Sequence, residues 1–267
     1  MYSHFTLGSN DLEKSKTFYD PVLNNLGLVL LSGDADKDYL MYGLENGDFP
    51  HLFVSRPFDD LPATWSNGFH LAFNADSQAS VEGFYESAMQ NGGKDEGEPG
   101  LREHYDEDYF AAYVRDPDGN KLQAVCYLNG RRHGQTNPII SHITFGLAEL
   151  NREKKFYDGI LGALGIQFLP EESDHESCGY GNPDSELPVF YVQPTFDGRP
   201  ATWGNGVHVA LLAESRKQVD DFHHQAISNG GTSDGAPGLR PQYSPNYYAA
   251  YVRDPLGNKL QAVCRQE

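Results

Sequence analysis

The sequence predicts an α+β protein built from four βαβββ modules that are arranged as two similar halves. Aligning each residue with the residue 138 positions later needs no insertion, and matches run from Ser3 and Ser141 to Cys126 and Cys264. The 18-residue stretch YFAAYVRDPDGNKLQAVC at 109–126, a strand, a turn and a strand, returns near the end of the chain with two changes. Two helix-like apolar stripes interrupt the strand-like runs of each half. These observations indicate a duplicated domain with mostly antiparallel pairing after each helix.

The elements of the first half follow from residue patterning. The expected elements are a strand at 3–8, a helix at about 11–24, strands near 28–32, 38–43 and 51–55, a strand at 69–75, a helix at 77–91, a short strand near 94–97 and the closing hairpin. Asn10 or Asp11 caps the first helix, and Gly92 permits the left-handed turn that ends the second. The second half repeats this order.

The duplication divides the chain into two domains joined by a short linker. We predict a first domain at 1–127, a linker at 128–138 and a second domain at 139–267. The linker segment has no counterpart in the other half, and it contains the glycine and proline typical of connecting loops.

The charge and cysteine content narrow the choice of partners and location. Acidic side chains outnumber basic ones 38 to 20, so the net charge of −18 repels phosphate backbones and anionic membrane surfaces. Three cysteines give neither a disulfide framework nor zinc-finger spacing. The chain shows no signal-peptide pattern and no long apolar run. We therefore expect a cytoplasmic protein that binds a small molecule, and neither nucleic acid nor a membrane.

Strand alternation places two histidines and one glutamine of each half on one side of the predicted sheets. Phe5 and Leu7 face the helices, so His4 points to the opposite side, and the same alternation places His70 and Gln123 there. The corresponding residues of the second half are His142, His208 and Gln261. A curved sheet with two imidazoles and an amide on its concave side is suited to hold a ligand or a metal ion.

Three motifs together resemble the vicinal oxygen chelate superfamily, which includes glyoxalase I, bleomycin-resistance proteins and extradiol dioxygenases. They are the opening stretch SHFTLG at 3–8, the mid-half strand GFHLAF at 68–73, and the hairpin RDPDGNKL at 115–122. The resemblance covers nearly all of both halves. It implies two glyoxalase-like domains with curved, mostly antiparallel sheets around central cavities that hold a divalent ion.

The resemblance also implies metal ligands on the first, fifth and last strands of each half. These positions hold His4, His70 and Gln123, and then His142, His208 and Gln261. The family usually has glutamate where both halves have glutamine, so each set lacks a negative charge and an obvious general base. We therefore assign no catalytic residue. A divalent ion such as Zn²⁺, Ni²⁺, Mn²⁺ or Fe²⁺ is a possible cofactor, held less tightly than by a glutamate-containing set.

The resemblance leaves the assembly of the sites open. Single-domain relatives often form dimers that build each site from modules of both subunits, and a duplicated chain resembles such a dimer. In that arrangement His4 shares a site with His208 and Gln261, and His142 shares one with His70 and Gln123. The alternative is that each half closes its own site. The chain is expected to be a monomer of this pseudo-dimeric kind or a homodimer.

Other duplicated residues are candidates for substrate binding at the cavity mouth. They are Arg102, Tyr105, Tyr109 and Trp65 in the first half and Arg240, Tyr243, Tyr247 and Trp203 in the second. The arginines are suited to grip a carboxylate, such as that of a glutathione-like substrate, but they are equally suited to close their own loops. The tryptophans either wall the cavity or cover the seam between modules.

The resemblance favours a glyoxalase-like, metal-dependent lyase or isomerase that acts on a small oxygen-rich or thiol-conjugated substrate. The ion would take two neighbouring substrate oxygens and stabilise developing negative charge. The alternative is a non-catalytic, bleomycin-resistance-like protein that binds a small molecule in the same cavity. An extradiol-type dioxygenase is a third alternative, disfavoured because it needs redox iron and usually a full His₂Glu set.

Overall fold

The computed structural model describes residues 1–34, 37–47, 49–130, 139–170, 176–183 and 187–266. Most of the predicted linker, 131–138, lies outside the described residues.

In the first half the elements are β1 (Tyr2–Gly8), α1 (Leu12–Asn24), β2 (Val29–Asp34), β3 (Tyr39–Gly43), β4 (Leu52–Ser55), β5 (His70–Asn74), α2 (Gln78–Gln90), β6 (Lys94–Leu101), β7 (Tyr109–Arg115) and β8 (Lys121–Tyr127). In the second half they are β9 (Ile140–Gly146), α3 (Leu150–Gly162), β10 (Gln167–Phe168), β11 (Cys178–Gly181), β12 (Phe190–Gln193), β13 (His208–Leu212), α4 (Arg216–Ser228), β14 (Thr232–Leu239), β15 (Tyr248–Arg253) and β16 (Lys259–Cys264).

The prediction of an α+β fold with four βαβββ modules is confirmed. Modules one to four begin at β1, β5, β9 and β13 respectively, and each contains one helix. The strands form two eight-stranded mixed sheets in which antiparallel neighbours predominate. The parallel pairs join the first and last strands of a module, such as β5 with β8.

Each sheet combines one module from each half of the chain. One sheet has the strand order β14-β15-β16-β13-β1-β4-β3-β2 and so joins modules one and four. The other has the order β10-β11-β12-β9-β5-β8-β7-β6 and joins modules two and three. The central joints are antiparallel, β1 with β13 and β5 with β9. The duplicated chain therefore assembles its sheets across its halves.

The helices cover one face of each sheet and bury the main core there. Side chains that alternate along the strands, such as Phe5, Leu7 and Phe73, are at most 1% exposed and pack in one cluster with Phe18 and Phe84 of the helices. The opposite strand positions, including the histidines, are left for the other face of the sheet. No helix in the described part of the chain is long and apolar enough to span a lipid bilayer.

A polar turn joins the closing hairpin of each half to the first helix of that half. The carboxylate of Asp116 accepts hydrogen bonds from the backbone and side-chain amides of Asn120 at 2.8 Å each. It also accepts one from the Tyr19 hydroxyl of α1 at 2.6 Å. Asp254 and Tyr157 repeat the tyrosine contact at 2.6 Å. This buried network explains why the turn sequence recurs almost unchanged in both halves.

Candidate functional site

The six residues predicted to converge form two separate sets, one on each sheet. The first cavity is defined by His4, His208 and Gln261 on the sheet of modules one and four. The second cavity is defined by His142, His70 and Gln123 on the sheet of modules two and three. Each histidine pair comes from the two central strands, so each set draws on both halves of the chain. Of the two arrangements that the sequence left open, the structure has the one shared between halves.

The imidazoles of the second cavity face each other at short range. The Nε2 atoms of His70 and His142 are 3.3 Å apart, and the rings are nearly perpendicular with centroids 5.4 Å apart. The hydroxyl of the buried Ser141 lies 2.9 Å from His142 Nδ1. A hydrogen bond on Nδ1 orients the ring and leaves Nε2 turned toward the partner imidazole.

The glutamine of each cavity is held by a tyrosine from the neighbouring strand. Gln123 Nε2 donates to the Tyr109 hydroxyl at 2.6 Å, and Gln261 Nε2 donates to the Tyr247 hydroxyl at 2.8 Å. Both glutamines are at most 1% exposed, and both Oε1 atoms are buried without a hydrogen-bond partner. An unpaired buried carbonyl oxygen is costly, so each oxygen is available for an external donor or a cation.

The first cavity repeats this arrangement with small differences. The rings of His4 and His208 have centroids 5.5 Å apart, and the Ser3 hydroxyl lies 2.8 Å from His4 Nδ1. The Thr6 hydroxyl lies 3.4 Å from His208 Nδ1. The Nε2 atom of His208 is buried without a partner. Two unsatisfied polar atoms, this nitrogen and the Gln261 oxygen, therefore belong to one cavity.

Burial keeps the histidines in the neutral form. It lowers the pKa of His4 to about 3, with the positive charge of Arg265 adding to the effect. Burial likewise lowers the pKa of His70 to about 3, with Lys121 adding to the effect. The pKa of His208 also falls well below its ordinary value, mainly through burial. A neutral imidazole has the lone pair that a metal ion requires.

The donor set and its spacing fit a divalent ion. Two nitrogens bound to one tetrahedral ion at ordinary bond lengths lie about 3.3 Å apart, which matches the separation in the second cavity. Within the described ranges, no group of three or more His, Cys, Asp or Glu side chains is placed to hold an ion. An ion in either cavity would therefore rest on two imidazoles and one amide oxygen, a neutral set suited to borderline divalent metals.

A fourth position in each cavity carries an aromatic side chain, which sequence reasoning missed. Gln123 pairs in register with the residue two positions beyond His70. The same register in the other modules selects Phe53 on β4 and Tyr191 on β12. Phe53 lies 5.2 Å from the His4 ring, and Tyr191 lies 5.4 Å from the His142 ring. Aligning the four modules with one another, as well as the two halves, would have found these positions. Their aromatic side chains were not considered as ligands.

A cavity of about 170 Å³ opens beside His70. Its lining includes Glu96, Arg115, Lys121 and Asp197. Glu96 bonds to Arg115 and lies 3.5 Å from Lys121. Although burial raises the pKa of Glu96, these two cations lower it overall. The space beside His70 is thus lined by charged side chains of both signs, whereas the set of His70, His142 and Gln123 is neutral.

Most predicted substrate-binding residues lie away from the imidazoles. The Arg102 side chain donates to the backbone oxygens of Leu101 and Glu98 in its own loop, at 3.2 and 2.7 Å. Arg240 makes the matching bonds in the second half, also at 3.2 and 2.7 Å. Tyr105 and Tyr243 are about 60% exposed, whereas Tyr109 and Tyr247 contact the glutamines.

The two tryptophans lie against arginines at the module seams. The Arg115 guanidinium lies 4.7 Å from the Trp65 ring, and that of Arg253 lies 5.3 Å from the Trp203 ring. Both rings are partly exposed, at 38% and 44%. Since Arg115 lines the cavity beside His70, Trp65 packs against one wall residue of that cavity.

Comparison with known sequences gives one family. The family described as the Glyoxalase/Bleomycin resistance protein/Dioxygenase superfamily matches residues 2–124. A search of curated proteins finds no match.

Two solved structures share the fold over nearly the whole chain. Glyoxalase I from Zea mays is 22% identical, with 99% of this chain and 92% of that chain covered and a TM-score of 0.68. A putative dioxygenase from Bacillus subtilis is 15% identical, with 100% and 85% covered and a TM-score of 0.62. A glyoxalase/bleomycin resistance protein from Albidiferax ferrireducens T118 is 38% identical over 45% of this chain and 92% of its own, with a TM-score of 0.38.

Proposed function

The chain belongs to the glyoxalase/bleomycin resistance protein/dioxygenase superfamily, and from this premise we propose that it is a divalent-metal-dependent lyase or isomerase. Its substrate would be a small oxygen-rich or thiol-conjugated molecule. The observation that carries the proposal is the 3.3 Å separation of the His70 and His142 Nε2 atoms beside the unpaired oxygen of Gln123. This separation is the one expected of two nitrogens on the same metal ion, and it supports the proposal.

The ion, when bound, would act as a Lewis acid that stabilises negative charge developing on substrate oxygens. The chain's own residues prepare this site. Ser141 orients His142, and Tyr109 holds the amide of Gln123 so that its oxygen stays turned into the cavity. Lys121, which lines the cavity beside His70, would attract an anionic substrate.

Support for a catalytic function is weakest for the residues that would move a proton. In the described part of the chain, no carboxylate hydrogen-bonds to His70 or Gln123. The mouth carboxylates are engaged elsewhere, Glu96 with two cations and Asp197 with Asn67. This observation favours a second candidate function, a non-catalytic protein that binds a small molecule in the same cavity.

Metal content and activity measured on the same protein separate the two candidates. Protein purified without chelator and dialysed against Mn²⁺, Ni²⁺, Zn²⁺ or Fe²⁺ would be analysed for bound metal. It would then be assayed with the hemithioacetal of methylglyoxal and glutathione. We expect bound metal and metal-dependent turnover, with both reduced at least 10-fold in His142→Ala.

Two other outcomes would contradict the lyase. Stoichiometric metal with no turnover of any thiol-conjugated or oxygen-rich substrate would favour the binding protein. Substoichiometric metal, with no gain in thermal stability on adding any of the four ions, would show that the protein does not use a metal ion.

A further inference from the structure

The two cavities have diverged at one end, although they occupy equivalent places in the repeat. Four positions of the first cavity differ from their partners 138 residues away: Phe49, His51, Phe53 and Arg265 stand where the second cavity has Leu187, Val189, Tyr191 and Tyr127. The first cavity thereby has an additional imidazole and a guanidinium. The second has only apolar and phenolic side chains at the same places.

Arg265 reaches into the first cavity from the end of β16. Its Nη2 donates to the Ser3 hydroxyl at 2.7 Å, and this hydroxyl lies 2.8 Å from His4 Nδ1. Its guanidinium lies 3.9 Å from the Phe49 ring and 5.8 Å from the Tyr247 ring. The guanidinium is therefore joined to His4 through one serine and lies beside two aromatic rings.

This guanidinium has no anionic partner among the residues that the structure describes. No carboxylate there lies within ion-pair distance of Arg265, and its Nε atom is buried without a hydrogen-bond partner. A half-buried cation without a counter-ion is unfavourable, and a buried N–H without an acceptor adds to that cost. Among the described residues, Arg265 thus lacks an acceptor for its Nε atom and a negatively charged partner.

Unsatisfied polar atoms concentrate in the same cavity. The Nε atom of Arg265, the Nε2 atom of His208 and the Oε1 atom of Gln261 are all buried without partners. In the second cavity, the corresponding set of described residues contains one such atom, the Oε1 of Gln123. His208 and Gln261 lie next to each other, whereas the Nε atom of Arg265 has no polar neighbour of this kind, which indicates that a polar molecule pairs with this guanidinium.

We propose that the first cavity binds a small organic monocarboxylate, whose carboxylate pairs with the Arg265 guanidinium. The planar guanidinium matches a carboxylate with two parallel hydrogen bonds. Phe49 and Phe53 supply apolar surface for the body of the ligand. The site stands apart from the proposed metal function, which rests on the second cavity.

The guanidinium favours a monoanion as its partner. It has one positive charge, which a carboxylate neutralises, whereas a phosphate dianion would leave negative charge unpaired.

Equilibrium binding of simple probes to the full chain tests this proposal. Calorimetric titrations would use benzoate and acetate as carboxylates, benzyl alcohol as the neutral analogue, and inorganic phosphate. We expect benzoate to bind more tightly than acetate, and benzyl alcohol and phosphate to bind at least 10-fold more weakly than benzoate. Equal binding of benzyl alcohol or of phosphate would overturn the assignment.

Substitutions at one position locate the binding. Arg265→Tyr introduces the side chain that Tyr127 already has at the equivalent place, and we expect it to weaken benzoate binding at least 10-fold. Lys217→Ala removes an 80% exposed positive charge on α4 and should change nothing. Arg265→Lys keeps the charge but loses the paired geometry, so a several-fold loss is expected even if the tyrosine variant does not fold. Unchanged benzoate affinity in a folded Arg265 variant would overturn the proposal.

Discussion

At the scale of single residues, the candidate sites depend on an amide standing where relatives are expected to have a carboxylate. The NH₂ group of Gln123 donates a hydrogen bond to Tyr109, and its oxygen is left unpaired inside the second cavity. The donor set is therefore oriented but uncharged. A neutral set attracts a divalent cation less strongly than one that includes a carboxylate, while its geometry is preserved.

Replacing Gln123 with glutamate should tighten metal binding to the second cavity by at least about 10-fold. The Tyr109 hydroxyl can reverse its role and donate to the new carboxylate, so the side chain stays oriented. The measurement is competitive titration of Mn²⁺ or Zn²⁺ against a chromogenic chelator. Lys217→Ala is the matched control, because it changes the net charge by the same amount at an exposed position on α4. Unchanged affinity in Gln123→Glu would show that this side chain does not face the ion.

A second residue-scale prediction concerns Asp116 in the closing turn. Burial raises its pKa to about 6, despite the hydrogen bonds it accepts from Asn120 and Tyr19. The folded protein then holds a proton that the unfolded chain releases near pH 4, so stability falls as the pH rises from about 4 to 6. Relative to Asp116→Asn, the wild type should lose roughly 2 kcal/mol across this range.

Urea unfolding of the two proteins at several pH values measures this difference. The asparagine variant keeps the shape of the turn and cancels the contributions of other titrating groups. A difference that stays constant, or that grows in favour of the wild type as pH rises, would show that the hydrogen bonds outweigh burial.

At the scale of elements, the strands and helices could be predicted from the sequence, whereas the pairing of distant strands could not. The alternation of Phe5 and Leu7 with His4 follows from the period of a strand, and it correctly separated the helix face from the cavity face. The joint between β1 and β13 connects segments about 200 residues apart, and no local pattern encodes such a pairing. Arg265 escaped notice for the same reason, since its position matters only once β16 lies beside β13.

Glycines at the module seams allow two backbones to approach closely. A Cβ atom on Gly68 would lie 2.4 Å from the Cα of Gly146, and its φ of +99° already favours glycine. Gly92 has a similar φ of +89° but open space around it. The first glycine is therefore required for contact between halves, and the second only for backbone conformation.

Gly68→Ala should destabilise the fold more than Gly92→Ala. The Gly92 variant should cost about 1 kcal/mol from backbone strain alone, and the Gly68 variant on the order of 3 kcal/mol or more because two backbones must separate. Thermal and urea unfolding of both variants supply the comparison. Equal losses of stability in the two variants would mean that the β5 and β9 backbones can separate at no cost in free energy.

At the scale of the whole molecule, the duplicated chain has the organisation of a dimer within one polypeptide. The division at 1–127 and 139–267 describes the repeat in sequence, and we propose it as the division into covalent units. Each sheet nevertheless takes four strands from each half. Cutting the chain between the halves would leave β1 and β5 as exposed central edges.

The first half alone should therefore not persist as a folded monomer. We expect residues 1–130, expressed separately, to form a dimer in which β5 of one copy takes the place of β13 beside β1 of the other. Size-exclusion chromatography with light scattering measures the mass, and circular dichroism reports the fold. A well-folded monomer at all concentrations would contradict the shared-sheet organisation.

The position of a bound ion would show directly whether the second cavity is a metal site. Crystals of the protein grown with Mn²⁺ would be measured near the manganese absorption edge, and an anomalous difference map would be calculated. We expect a peak about 2.0–2.3 Å from His70 Nε2, His142 Nε2 and Gln123 Oε1. A fully occupied peak elsewhere, or no peak in the second cavity at saturating Mn²⁺, would contradict it.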